Sequence, residues 1–222
     1  MKLDLDRFRR QYHRDGVTRV PDVVPREVAG RWLEKAMDLC ESLGRARDYR
    51  AGEADILGDG GENRYVILDG LAIRDHFPDM PTWYVALQGL VSAVTFADVT
   101  VSPYERSGMS ILVYRGTNAS QSWHFDSNPI TALLYLTTNT EGATECRLLH
   151  DIPDKRKGRL RRIFPVSGSL LLMQGRRVWH RGTPVHREVK VACPWNYYTA
   201  TDTWRPEGMD ELIYGPDVKA RP

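Results

Sequence analysis

His124-Phe125-Asp126, a later His180 and then Lys190 are the residues of this chain whose types and order could do chemistry. Two imidazoles and one carboxylate on one face of a metal ion leave about three coordination positions open, which is the donor set of a mononuclear non-haem Fe(II) site. The short motif is informative only in context. With 6 His and 18 Asp in 222 residues, chance alone supplies about half an H-x-D. A second such pair, His13-Arg14-Asp15, closes the helical pattern Leu3, Leu5, Phe8, Tyr12. Residues two apart on a helix point about 200° away from each other, so that pair cannot chelate. A third, His186-Arg187-Glu188, follows every other histidine and has no downstream partner. His124 alone has a full set.

The elements that must position these groups follow from periodicity. Residues two apart on an extended segment share a face, so His124 and Asp126 converge on one ion if 122–126 is a strand end. Residues 111–114 read as a strand, 115–121 as a Gly-, Asn- and Ser-containing connection, and 131–136 as the next strand. His180 follows a strand at 169–173 and the turn Gln174-Gly175-Arg176-Arg177. With Lys190 facing the site, Ala192, Pro194 and Asn196 share its side, and Val191, Cys193, Trp195 and Tyr197 take the other. Tyr114 shares a face with Leu112 and Ser110, and Tyr135 with Leu133. Asn128 and Asn196 are candidate substrate contacts, and Arg176 is placed to meet an anionic group.

Elsewhere the pattern predicts helices at 3–13, closed by Gly16, and at 25–43, with Val28, Trp32, Ala36, Leu39 and Leu43 on one stripe. A short edge strand at 17–20 separates them. Residues 45–62 are charged and Gly-rich and read as a loop, a candidate lid whose Glu53, Asp55, Asp59 and Glu62 would suit an amine- or hydroxyl-bearing substrate. Residues 65–68 read as a strand, 81–94 as a helix, and 99–101, 144–149 and 190–199 as further strands.

Composition fits one enzyme domain over 1–222, long enough to bury a real core. Neither an apolar run near 18 residues nor a basic-then-apolar leader is present, so the expectation is a cytoplasmic protein without a membrane span. Cys40, Cys146 and Cys193 are odd in number and lack zinc-like spacing, and read as reduced bystanders. A net charge of +2 gives no argument for nucleic acid. The basic stretch 155–162, six Lys or Arg in eight, reads as a solvated turn between strands rather than a nucleic-acid patch.

The order His124, Asp126, His180, Lys190 resembles the motif of the Fe(II)/2-oxoglutarate-dependent oxygenases: H-x-D, a distant His, then a basic residue. The stretch from Gly168 through Val178-Trp179-His180-Arg181-Gly182 is similar to that family's strand, turn and distal histidine. Tyr114-Arg115-Gly116 resembles the tyrosine strand of the prolyl hydroxylases, and Phe8, Tyr12, Gly16 and Val20-Pro21 the entry segment of phytanoyl-CoA-hydroxylase-like members. Residues 44–105 carry no resemblance.

The resemblance implies a double-stranded β-helix, the cupin-like jelly roll, mainly β with flanking α and with the N-terminal helices packed on the outer sheet. It implies Fe(II) held by His124, Asp126 and His180, with 2-oxoglutarate and O2 as cosubstrates. A carboxylate buried without a cation is costly. Lys190, with the Tyr114 hydroxyl, is the expected partner of the 2-oxoglutarate 5-carboxylate; Arg187 is the alternative, and Tyr135 a further donor. Lysine departs here from the arginine of many members. An intact Asp126 argues against halogenation, where a small residue makes room for chloride, and for hydroxylation, desaturation or ring closure. The expected substrate is a small polar metabolite of the natural-product-tailoring kind. Peptidyl-prolyl hydroxylation and a cupin-like metal-binding module without 2-oxoglutarate stay open as alternatives.

Overall fold

The structure is a computed structural model and describes residues 4–50, 61–149 and 157–215. The chain opens with α1 (Leu5–Asp15), β1 (Val17–Val20) and α2 (Arg26–Leu39). β2 (Arg45–Arg50) and β3 (Glu62–Leu68) follow, then α3 (Gly70–His76), α4 (Met80–Ala86), α5 (Gln88–Thr95), β4 (Val99–Val101) and the one-turn α6 (Glu105–Gly108). The barrel strands come next: β5 (Ile111–Tyr114), β6 (Ala119–His124), β7 (Ile130–Tyr135), β8 (Thr144–Arg147) and β9 (Leu160–Ile163). β10 (Leu170–Gln174), β11 (His180–Val185) and β12 (Lys190–Thr199) complete it, and α7 (Met209–Tyr214) follows.

The strands run in the antiparallel order β1-β10-β7-β12-β5-β3-β6-β11-β8-β9, with β2 added on β3 and β4 on β12. The larger face ends at β3, the smaller begins at β6, and the two meet through one register pair, Arg64 with Ser120. This curled pair of sheets is a double-stranded β-helix.

The two-residue period sorts the strands into an outer and an inner face. Val113, Ala132, Leu134, Val191, Cys193, Trp195 and Tyr197 point outward into one apolar cluster with Phe8, Tyr12, Ala29, Trp32, Ala36, Val91 and Val94 of the helices. Trp195 is fully buried there, between Trp32 (ring centroids 6.3 Å apart) and Tyr84 (5.8 Å). Leu133, Tyr135, Cys146, Leu171, Met173 and Ala192 point inward. Gly16 ends α1 in the left-handed region (φ 76°), and its carbonyl accepts from Gln174 N–H, tying the helix to the barrel.

Several expectations are corrected. Residues 45–50, read as loop, form β2, paired along its length with β3. A charged strand at a sheet edge needs no apolar face, so periodicity carries no trace of it. The acidic residues 53, 55 and 59 of the expected lid lie outside the described residues. Residues 115–121 are only in part a connection: the turn is at Gly116 and Asn118, both with positive φ, and β6 begins at the buried Ala119. The helix expected over 81–94 is two, α4 and α5, meeting at Leu87, and the one expected to reach residue 43 ends at Leu39.

The basic stretch is a strand in its second half. Arg162 in β9 pairs with the fully buried Glu145 (2.5 Å), which Arg181 also binds (2.7 Å). Arg161 approaches the buried Asp15 at 3.8 Å. These arginines neutralise interior carboxylates; residues 155 and 156 lie outside the described residues. All three cysteines are buried and free. Among the described residues no helix is long and apolar enough to cross a membrane.

Candidate metal centre

β6 and β11 lie side by side on the smaller face, and His124 and His180 are direct partners in their register. Their rings therefore meet, with centroids 4.2 Å apart. Asp126 sits just past the end of β6, where its N–H donates to the Gly175 carbonyl (3.0 Å). Its Oδ1 lies 3.5 Å from His124 Nε2 and 3.6 Å from His180 Nε2. The three ligand atoms all fall within 4.8 Å of one another.

The surroundings hold these side chains in place. His124 Nδ1 meets the Ser122 carbonyl at 2.7 Å and His180 Nδ1 the Val178 carbonyl at 3.0 Å. A carbonyl only accepts, so both Nδ1 atoms carry a proton, and both Nε2 atoms are turned toward the carboxylate. Burial pushes the His180 imidazole down to about 4 in spite of Asp126, so it is neutral at pH 7. Burial works to raise the Asp126 carboxyl, but His180, His124 and the Thr131 hydroxyl outweigh it and hold it at about 2. The Nε2 atoms of His124 and of the neutral His180, with the ionised Asp126 carboxylate, lie on one side of a common point and fit a divalent transition metal with open positions.

Two cavities share this centre. One is lined by His124, Asp126 and His180 together with Leu133, Thr144, Gly182 and Lys190. Lys190 is 2% exposed; its ammonium stands 4.8 Å from the Tyr114 ring centroid and meets no carboxylate among the described residues. Burial lowers its pKa to about 7. The other cavity is lined by His124 and Asp126 together with Asn63, Tyr65, Phe125, Asn128, Asn196 and the α7 residues Leu212, Ile213 and Tyr214.

The remaining sequence candidates fall in different places. Tyr114 lines the first cavity, and its hydroxyl donates to Gln121 (2.9 Å). Tyr135 is fully buried and reaches the cavity only through Thr144, to which its hydroxyl donates (2.8 Å). Arg187 is exposed, lines neither cavity, and gives its backbone N–H to Glu141. Asn128 and Asn196 line the second cavity, each with its amide donating to protein oxygens: Asn128 to Ile130 and Thr131, Asn196 to the Ser107 carbonyl. Arg176 lines neither cavity at the metal centre, because both Asp202 oxygens (2.6 Å) and the Ser127 carbonyl (2.7 Å) engage its guanidinium.

Other residues at the site were not singled out from sequence. Thr131 donates to Asp126 Oδ2, and the same-face rule applied to Leu133 and Tyr135 reaches it. Gln121, Asn63, Arg47 and Arg205 carry no local signal of their place in the lining.

Comparison by sequence finds no matching family model and no matching curated protein. Comparison by structure finds the same fold in the non-heme alpha ketoglutarate dependent epimerase SnoN from nogalamycin biosynthesis, with TM-score 0.72, 18% identity and coverage of 98% of this chain and 90% of that one. The non-heme alpha ketoglutarate dependent carbocyclase SnoK from the same biosynthesis matches with TM-score 0.71, 17% identity and coverage of 97% and 93%. A prolyl hydroxylase from Trichoplax adhaerens, in complex with a hypoxia inducible factor peptide fragment, matches with TM-score 0.64, 15% identity and 90% of each chain. The chain thus has the double-stranded β-helix that these non-haem iron and hydroxylase structures share.

Proposed function

We propose that this chain is an Fe(II)- and 2-oxoglutarate-dependent dioxygenase that oxidises a C–H bond of a small polar metabolite, by hydroxylation or by a related ring closure or desaturation. The observation that carries the reading is a single cavity lined by His124, Asp126 and His180 and also by the buried Lys190, which meets no carboxylate among the described residues. A cupin-like module that bound metal alone would have no use for a cation kept at that cost.

His124, Asp126 and His180 would hold the iron, and 2-oxoglutarate would lie in the cavity they share with Lys190. Iron with these cosubstrates supplies the oxidising power for the C–H bond. The protein does the rest. Lys190 neutralises the cosubstrate's far carboxylate, and Tyr114, whose ring lies under the ammonium and whose hydroxyl donates to Gln121, lines the same cavity. Thr131 and the Gly175 carbonyl fix the Asp126 side chain and backbone. The second cavity reaches the same His124 and Asp126 from another side and would seat the substrate.

Support for a small molecule comes from α7, whose Met209, Leu212, Ile213 and Tyr214 line one side of that cavity, and from SnoN, solved with Fe3+, alpha ketoglutarate and nogalamycin RO. The test is O2-dependent conversion of 2-oxoglutarate to succinate by the Fe(II)-loaded protein. Slow uncoupled turnover that disappears in Asp126→Ala is expected; turnover that survives in that variant overturns the assignment.

A further inference from the structure

Asn128 and Asn196 line the second cavity, and the way each carboxamide is turned decides what it can offer a substrate. Asn128 is 3% exposed, and its Nδ2 donates to the Ile130 carbonyl and to Thr131 Oγ1, both at 2.8 Å. Asn196 Nδ2 donates to the Ser107 carbonyl at 2.7 Å. A carbonyl only accepts, so the orientation of both amides is fixed. The Thr131 hydroxyl directs its proton to Asp126 Oδ2, which leaves its oxygen to accept from Asn128. Neither Oδ1 meets a donor among the described residues and neither is closed off, so these are the atoms the two side chains have left to offer. An interior acceptor of this kind calls for a donor.

The two carboxamides are neighbours. Asn196 on β12 is the register partner of Thr131 on β7, and Asn128 is hydrogen-bonded to that same Thr131. Thr131 also holds Asp126, so the pair stands beside the metal carboxylate. Tyr65, Phe125, Leu212 and Tyr214 give the same cavity apolar and aromatic walls. We infer that the substrate is a neutral metabolite with neighbouring hydroxyl groups on an apolar or aromatic body, its hydroxyls donating to Asn128 Oδ1 and Asn196 Oδ1. A carboxylate or an ether has no proton to give these oxygens. An ammonium has one, but two neutral amides do not offset its charge when it leaves water, and the Arg205 guanidinium lines the same cavity. This rests on the dioxygenase reading and makes the two asparagines specificity determinants, which hold a hydroxyl-bearing skeleton next to the metal ligands.

The test is an anaerobic titration, followed by calorimetry, of Fe(II)-loaded protein saturated with 2-oxoglutarate. The probe 1-phenyl-1,2-ethanediol is compared with (1,2-difluoroethyl)benzene, which is close to it in size but has no O–H, and with 2-amino-1-phenylethanol, which brings an ammonium. The diol should bind about tenfold more tightly than the difluoride, as two net hydrogen bonds imply, and more tightly than the amino alcohol. Asn196→Leu and Asn128→Leu keep the bulk and remove one acceptor each, and each should cut the preference for the diol to about threefold. The readout is the ratio of affinities, which a general loosening of the fold would leave unchanged. No binding of the diol, equal affinity for diol and difluoride, tighter binding of the amino alcohol, or a preference untouched in both variants overturns the inference. The visible absorption of the iron–2-oxoglutarate chelate is read in the same samples: its absence removes the dioxygenase reading and the inference with it, whereas a chelate with no preference for the diol removes the inference alone.

Discussion

Asn63 grips Ser122 by both ends of its carboxamide: Nδ2 donates to Ser122 Oγ at 3.0 Å and Oδ1 accepts the Ser122 N–H at 3.1 Å. The backbone ladder between β3 and β6 has one register pair, so this buried side chain takes over where the ladder stops. The Ser122 carbonyl then accepts from His124 Nδ1, and the chain Asn63, Ser122, His124 sets that imidazole's orientation and tautomer. Asn63→Ala should weaken Fe(II) binding by about 10- to 100-fold, the usual cost of losing such a support. A metal titration checks this, and affinity equal to wild type would assign Asn63 to the fold alone.

Asp126→Ala and His180→Ala should each abolish stoichiometric Fe(II) binding while leaving the folded protein intact, because neither side chain belongs to the apolar clusters that hold the sheets. Metal analysis after gel filtration, with circular dichroism on the same samples, is the check. Retained iron in either variant removes that residue from the ligand set.

Lys190→Ala should raise the 2-oxoglutarate requirement far more than it disturbs iron binding, whereas Arg187→Ala should change neither, since Arg187 lies outside both cavities. An unchanged requirement in Lys190→Ala would reassign the carboxylate partner.

The same lysine predicts a pH dependence. In the free protein its pKa is lowered by burial to about 7, and a bound carboxylate raises it. Below about pH 7 Lys190 is already charged and 2-oxoglutarate affinity should be flat. Above it, binding must take up a proton, so affinity should fall by up to about tenfold per pH unit until the bound-state pKa is passed. Calorimetry in buffers of different ionisation enthalpy reads the proton directly. Affinity independent of pH between about 7 and 9 would contradict the assignment.

Gly16→Ala should destabilise the fold. The residue has φ 76°, and an added Cβ would come within 2.5 Å of Leu149 Cδ1 and 2.8 Å of Val178 Cγ2. Strain and overpacking together should cost about 2–3 kcal/mol, read as a lower urea midpoint.

The parts of the site legible in sequence are those set by local geometry. His124 and Asp126 share a face because they are two apart on a strand end, and Lys190 shares one with Ala192, Pro194 and Asn196 by the same period. The outward set of Val191, Cys193, Trp195 and Tyr197 was equally readable, and it puts α1, α2, α4 and α5 on the outer sheet. What stayed hidden depends on distant segments. Arg176 looked available until Asp202, 26 residues on, engaged it. Asn63 and Ser122 are 59 residues apart, and α7 is too short and too weakly patterned to announce a cavity wall. β2 was missed because its stability comes from pairing with β3 rather than from an apolar face.

The most direct measurement is anaerobic titration of Fe(II)-loaded protein with 2-oxoglutarate, followed by visible absorption and repeated with Lys190→Ala. The account requires a charge-transfer band that saturates at one equivalent in wild type and shifts to much higher 2-oxoglutarate concentration in the variant. No band from protein shown to contain iron, or identical titrations for the two proteins, would contradict it.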